Sequence, residues 1–269
     1  MNRVVGILGC GWLGFPLASA LVKKGYTVHG STTSMAKIPA LEKAGIVPFL
    51  LVLEEGKITA SISDFLEGVT ILIINIPPKL RGSNKENYVK KIRRLHEAIA
   101  ASTVKKIVFV SSTSVYGEIN GEVNEDTIPE PQSESGRQLL LSENIFKEDE
   151  TLMTTVVRFG GLIGPNRHPI VHLSNKTKLT NGNAAINLIH LNDCMEIIGS
   201  IIEHDWWNEI FNGVYPYHPT KKEFYTLEAK KRNLPPPPYG ASGPKTGKIV
   251  VSNKLNNAKD FQFTTPVTD

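Results

Sequence analysis

Apolar residues in the first 110 positions fall in short runs separated by turn residues. Val4–Leu8 is an apolar run bounded by glycines, the pattern of a strand buried on both faces. Leu13, Leu17, Ala20 and Leu21 then recur at helical spacing through Leu13–Lys24, and Gly25 supplies a stop. Tyr26–His29 predicts a second strand, Ala36–Ala44 a helix and Val47–Leu51 a strand. Thr70–Ile74 predicts another strand, ending at Asn75-Ile76-Pro77-Pro78. Over 84–101, Tyr88, Ile92, Leu95 and Ile99 form one stripe with Lys90, Lys91, Arg93 and Arg94 opposite, which predicts an amphipathic helix. Ile107–Val110 is again a buried strand. Strands alternating with helices at this pitch predict an α/β, doubly wound parallel sheet covered on both faces.

The pattern loosens after Ser111. Residues 117–135 are acidic and contain prolines, so they are expected to be loop. Gly136–Lys147 predicts a helix, Thr154–Arg158 a strand, Asp193–Glu203 a helix and Glu209–Gly213 a strand. Between them, 159–187 is rich in Gly, Asn, Pro and His and has no periodicity. A basic helix is expected over Lys221–Arg232, followed by four consecutive prolines, Pro235 to Pro238. The expected division is a nucleotide-type domain over 1–165, rejoined by 187–214. Residues 166–186 and 215–269 would then form a small C-terminal substrate lobe.

Gly9-Cys10-Gly11-Trp12-Leu13-Gly14 fits G-x-G-x-x-G between the first predicted strand and helix, the context a dinucleotide-binding loop requires. Gly9 allows the tight turn, Gly11 the approach of a pyrophosphate, and Gly14 the close packing of helix on sheet. The N–H groups and positive dipole end of that helix, which starts beside Trp12 and Leu13, would face the phosphates. The same stretch, with Arg3 ahead of it and Leu17-Ala18-Ser19-Ala20 behind, has the outline of a signal peptide. Gly6, Gly9, Gly11, Gly14 and Pro16 break the continuous apolar helix such a segment needs. An NAD site usually carries Asp or Glu at the end of the second strand, to bind the adenosine ribose. Here that place reads His29-Gly30-Ser31-Thr32-Thr33, with Lys37 soon after. Hydroxyls and a lysine suit a 2′-phosphate, so NADP is expected in preference to NAD; Ser31–Thr33 also suit a helix cap.

Composition narrows the partners. The chain has 269 residues, 41% of them hydrophobic, with 30 Lys+Arg against 26 Asp+Glu. It is long enough to bury a core without disulfide or metal help, and too apolar for general disorder. Its net charge of +4 comes without dense basic blocks, so a phosphorylated small molecule is expected as ligand and no nucleic acid. No apolar run of about 18 residues argues for a membrane span, so no membrane partner is expected. Cys10 and Cys194 give neither a disulfide framework nor a zinc ligand set, which points to a cytoplasmic protein without a metal.

Further stretches resemble the extended short-chain dehydrogenase/reductase superfamily of NAD-dependent epimerases and dehydratases, which implies a Rossmann-type fold. Val110-Ser111-Ser112-Thr113-Ser114-Val115-Tyr116-Gly117 is similar to the family's fifth strand, whose hydroxyl binds the substrate oxygen. By position that residue is Ser112. Arg158 through Gly164-Pro165 resembles the strand and loop beside the nicotinamide, and Asn187 through Asp193 resembles the family's N-x-I-H-V-x-D segment. Phe211-Asn212-Gly213 and the stretch from Gly247-Lys248 to Leu255 fit its C-terminal lobe. The chain looks closest to the short atypical members, the YeeZ-like branch. The resemblance implies cofactor contacts from Asn75, Ile76, Pro77 and Ser111, beside those of the glycine loop. It also implies a homodimer through the helix at 84–101, although that helix has a charged outer face here.

One departure concerns the chemistry itself. The family's acid/base is a Tyr followed four residues later by a Lys, in P-x-S-x-Y-G-x-S-K-x-x-x-E. This chain reads Pro131-Gln132-Ser133-Glu134-Ser135-Gly136-Arg137-Gln138-Leu139-Leu140-Leu141-Ser142-Glu143, with Ser135 and Leu139 in the places of the pair. A serine hydroxyl is too weak an acid to replace a tyrosine activated by a lysine. Arg137 supplies charge but does not shuttle protons. His168, in Asn166-Arg167-His168-Pro169, is the remaining candidate proton carrier, against the plainer role of a hydrogen-bonded loop residue. Tyr116 and His190 are expected to be structural, and Asp126, Glu130 and Glu134 solvated loop charges. Two functions follow: an atypical NAD(P)-dependent oxidoreductase or epimerase-like enzyme for a small polar, sugar-derived substrate, or a catalytically silent NADP-binding sensor.

Overall fold

The computed structural model describes residues 3–59, 61–78, 80, 86–241 and 244–268. The first half contains β1 (Val4–Leu8), α1 (Gly14–Lys23), β2 (Thr27–Thr32), α2 (Ile38–Lys43) and β3 (Val47–Leu50). A short hairpin, β4 (Val52–Leu53) and β5 (Ile58–Thr59), leads to α3 (Ile62–Leu66), β6 (Val69–Ile74), α4 (Tyr88–Ala100) and β7 (Lys106–Ser112). Next come β8 (Gly121–Val123), α5 (Glu134–Lys147), β9 (Met153–Phe159), β10 (Gly161–Ile163) and α6 (Ile170–Leu173). The chain closes with β11 (Leu188–His190), α7 (Leu191–Glu203), β12 (Ile210–Gly213), α8 (Lys221–Lys231) and β13 (Lys248–Val250). No described helix is long and apolar enough to cross a membrane.

Seven strands form one sheet in the order β12-β9-β7-β6-β1-β2-β3. From β7 to β3 every pair is parallel. The chain runs outward from β1 to β3, then returns to lay β6 on the other side of β1. Right-handed crossovers in the two directions put helices on opposite faces, which makes the sheet doubly wound. Apolar residues fill the middle of the sheet because both faces are covered: Val5, Ile7, Val28, Leu72, Ile73, Ile74, Val108 and Phe109 have no exposed surface. The gap between β1 and β6 is the switch point of the strand order, the place where such sheets hold ligands.

The chain divides into two compact units. One comprises 1–115, 131–158 and 198–210, the other 116–130, 159–197 and 211–269. In the second unit, β10 pairs with β11 and β13 with β8, all parallel. A cluster of Ile163, Ile170, Ile186, Leu188, Phe224, Tyr225, Ala229 and Val267 forms its core.

Two stretches differ from the sequence-based expectation. The 117–135 loop includes β8, and the aperiodic 159–187 segment includes β10 and α6. Elements of three or four residues are too short to show a period, and β8 and β10 are held by pairing with β13 and β11. The expected 84–101 helix is described from Tyr88, where Asn87 caps it by accepting from Lys90 N–H; residues 84 and 85 lie outside the described residues.

Candidate cofactor and active site

The loop from β1 to α1 is built from both neighbouring strands. Gly9 N–H donates to Ser31 Oγ at 2.9 Å, and Cys10 N–H donates to Ser31 O at 2.8 Å. From the other side, Asn75 at the end of β6 donates through Nδ2 to Gly9 O at 3.1 Å. Gly11 N–H closes the turn on the same oxygen at 2.8 Å. Gly9 has φ +105°, and a Cβ there would lie 2.6 Å from Asn75 O. A Cβ on Gly14 would lie 2.2 Å from Gly9 O, so α1 begins in contact with the loop backbone. At Gly11 a Cβ meets no described heavy atom within 4 Å. The spacing led to the turn at Gly9 and the close packing at Gly14, and Gly11 has open space beside it.

That geometry fits a pyrophosphate. The amides of Gly9, Cys10 and Gly11 are used inside the loop and Phe15 N–H donates to Gly11 O at 3.0 Å, so an anion there would be met by the amides of Leu13 and Gly14. Leu13, the N-cap residue, makes no side-chain cap, and the first turn of α1 carries no acidic residue. The positive end of the helix is therefore left to a ligand. Leu13 is buried and Trp12 half-buried beside it. Cys10 is enclosed, and burial pushes its thiol up to about 12, which keeps it protonated and unreactive.

At the end of β2 the hydroxyls divide their work. Ser31 is buried, with its Oγ on Gly9, and Thr32 is buried, with Oγ1 accepting from Ser34 N–H at 3.2 Å. Thr33 and Lys37 are exposed. Across the loop, Asn75 and Ile76 are half-buried and Pro77 is exposed. Ile76 O accepts from Tyr88 Oη at 2.9 Å, and Tyr88 N–H donates to Gln138 Oε1 at 2.6 Å, which links the β6 end to α4 and α5.

The β7 end rests on a buried ion pair. Arg158 and Glu143 are 1% and 0% exposed, with Nη2 to Oε2 at 2.7 Å, and Ser111 Oγ donates to Glu143 Oε1. This trio ties β7, α5 and β9 together. Its sequence signal was a charge set inside the apolar run Val156-Val157-Arg158-Phe159. Ser112, next along, is half-buried, and its Oγ accepts from Ser114 N–H at 3.2 Å. Gly136, in the first turn of α5, sits where a Cβ would lie 2.7 Å from Ser114 O. Ser135 beside it is half-buried, while Leu139 is 5% exposed. The position that the family's lysine takes is thus enclosed and apolar here.

His168 belongs to the second unit and is enclosed there. Its ring stacks on Phe224 at 6.0 Å, Nδ1 accepts from Ile170 N–H at 3.2 Å, and Nε2 lies 3.5 Å from Glu228 Oε2. Burial and the nearby Arg232 push its pKa down to about 4, against the opposing pull of Glu228. The imidazole is neutral near pH 7 and serves the packing of α8. Tyr116 is fully buried, donating to Asn212 Oδ1 at 2.8 Å, and His190 Nδ1 accepts from Asn192 N–H at 3.2 Å.

A parallel sheet with a dinucleotide loop at its switch point, and a Ser pair on a neighbouring strand end, defines a Rossmann-type nucleotide-binding protein. Residues 5–212 match the NAD dependent epimerase/dehydratase family, and the chain belongs to that family. It is 33% identical over 266 residues to Protein YeeZ of Escherichia coli (strain K12), spanning 98% of this chain and 97% of that one. The solved UDP-glucuronic acid 4-epimerase from Bacillus cereus in complex with NAD shares the fold at TM-score 0.81 and 17% identity, over 99% of this chain and 93% of that one. The UDP-N-acetylglucosamine 4-epimerase from Bacillus cereus does so at 0.77 and 17%, over 100% and 93%.

Proposed function

We propose that the protein binds NADP in preference to NAD and acts as an atypical oxidoreductase or epimerase-like enzyme on a small polar, sugar-derived substrate. The observation that carries this reading is the β1–α1 loop, fixed from both sides with Gly11 open and the first turn of α1 uncapped. The preference for NADP is supported by the missing carboxylate at the end of β2 and by Thr33 and Lys37 exposed there. The substrate class is supported by the relatives named as UDP-sugar epimerases.

The nicotinamide of a bound cofactor supplies hydride transfer. Ser112 orients the substrate by donating its hydroxyl proton to a carbonyl or hydroxyl oxygen. Ser111, its proton committed to Glu143, keeps the strand end in place. With Ser135 and Leu139 in place of a tyrosine–lysine pair, the proton lost from the reacting hydroxyl passes to a basic group of the substrate itself, and the same group returns it when the carbonyl is reduced. General acid–base catalysis is worth about 10²–10⁴ in rate, so turnover is slow. The homodimer expected through α4 is part of the same proposal, and light scattering reads it directly.

A second reading, a silent NADP-responsive sensor, is favoured by one observation: the enclosed, apolar setting of Leu139. Titration with NADPH and NADH by fluorescence, followed by NADP⁺ with a panel of alcohols and nucleotide sugars, separates the two. The enzyme reading expects binding of NADPH ahead of NADH and a slow turnover lost in Ser112→Ala. Tight binding with no turnover across the panel selects the sensor. Failure to bind either dinucleotide overturns both.

A further inference from the structure

We infer that Ser31 and Asn75 are positioning residues: a two-sided clamp on the Gly9 peptide that sets the pyrophosphate loop before any ligand arrives. Ser31 sits at the end of β2, where a dinucleotide site's ribose-reading residue is expected. Its hydroxyl is instead 2% exposed, with Oγ accepting from Gly9 N–H at 2.9 Å. Its carbonyl takes Cys10 N–H at 2.8 Å, so one residue on β2 holds two successive amides. Asn75 works from the opposite strand, with Nδ2 on Gly9 O at 3.1 Å and its backbone N–H on Leu8 O at 2.9 Å. The carbonyl of Gly9 is enclosed as well, because Gly14 approaches it too closely to carry a side chain.

The consequence is a division of labour. A glycine at φ +105° with a second glycine two residues on has many conformations open to it, and the one held here leaves open space beside Gly11. A ligand that binds a single loop conformation has its apparent affinity reduced by the fraction of molecules outside it. The clamp raises the competent fraction, and it does so for any ligand that presents a pyrophosphate. Ser31 and Asn75 therefore set the strength of dinucleotide binding without choosing between NAD and NADP. The choice falls to exposed groups beyond them, Thr33 and Lys37.

This inference rests on the dinucleotide reading above, and its test has one arm that does not. In the ligand-free protein, hydrogen exchange resolved to single amides reads the clamp directly. The Gly9 amide is expected to exchange slowly in the wild type and at least tenfold faster in Ser31→Ala, while amides in the middle of α4 stay protected in both. Fast wild-type exchange at Gly9, or no change in Ser31→Ala, overturns the clamp even if dinucleotide binds normally. The binding arm compares NADH, NADPH and ADP-ribose. Ser31→Ala and Asn75→Ala are expected to weaken all three together by about three- to tenfold, the worth of one hydrogen bond, with an unchanged NADPH:NADH ratio. Ser31→Thr, which keeps the hydroxyl, restores both exchange and affinity. Lys37→Ala changes the ratio and leaves Gly9 exchange untouched. A shift in the ratio in Ser31→Ala would instead make Ser31 a cofactor contact and end the proposal. Should the alanine variants fail to fold, the wild-type exchange rate and Asn75→Asp, which loses the donor and keeps the shape, decide the matter.

Discussion

Two neighbouring ends of the same sheet have fared differently. At the β1–α1 end, Gly9 is held at positive φ, Gly11 has open space beside it, and Gly14 is in contact with the loop backbone. At the β7–α5 end, the scaffold is equally complete. Arg158, Glu143 and Ser111 form a buried trio, and Gly136 lets α5 press on the Ser114 carbonyl. The groups mounted on that scaffold are Ser135 and Leu139, with no acid/base pair. Binding geometry and packing are shared constraints of the fold. The proton-transfer groups are separable from them, because a surface hydroxyl and an ammonium contribute little to the core that holds them.

The sharpest way to break that comparison is at the β7–α5 end. Arg158→Ala strands the Glu143 carboxylate in the core and is expected to cost about 3–5 kcal/mol, read by denaturant unfolding. A loss near the ~0–1 kcal/mol of an exposed pair would show that the trio is not the anchor described here. At the β1–α1 end, Gly14→Ala drives a methyl into the Gly9 carbonyl. It is expected to cost about 1–3 kcal/mol and to weaken NADPH binding by more than it weakens stability, read by fluorescence titration beside a thermal melt. Unchanged binding would mean that α1 need not touch the loop.

A third, smaller effect sharpens the contrast with the second unit. His168 has a folded pKa of about 4, below its ordinary value near 6.5. The unfolded chain therefore takes up a proton that the folded one refuses as pH falls between those values. Stability that is fully present above pH 6.5 is lost on descending toward pH 4, on the order of 1–3 kcal/mol. His168→Phe should flatten the melting temperature across that window relative to the wild type, with activity profiles unaltered. A variant that follows the wild-type slope would place the imidazole in water instead.

The N-terminal half was legible in sequence because each of its elements is long enough to show a period and each turn is marked by glycine or proline. Residues 117–135 and 159–187 were not, because β8 and β10 are three residues each and pair with β13 and β11, far along the chain. Within the site, the glycine loop could be read residue by residue. Ser31 lies two residues past the expected end of the second strand and inside the observed one, and its hydrogen bond to Gly9 is a matter of register between β1 and β2 that no local pattern encodes. His168 carried the chemistry of a proton donor in the sequence, and three-dimensional burial against Phe224 and Glu228 gave it a different protonation state.

By itself the chain's order of residues determined the alternation of strand and helix, the spacing of the glycine loop, and the Ser135 and Leu139 of the 131–143 segment. Periodicity, glycine spacing and residue identity are local properties, and they survive being read one position at a time. The folded molecule decided which polar groups are committed to one another: Ser31 to Gly9, Ser111 to Glu143 and Arg158, Tyr88 to Ile76. Hydrogen bonds and desolvation act between atoms that are close in space, and only the packed chain sets those distances.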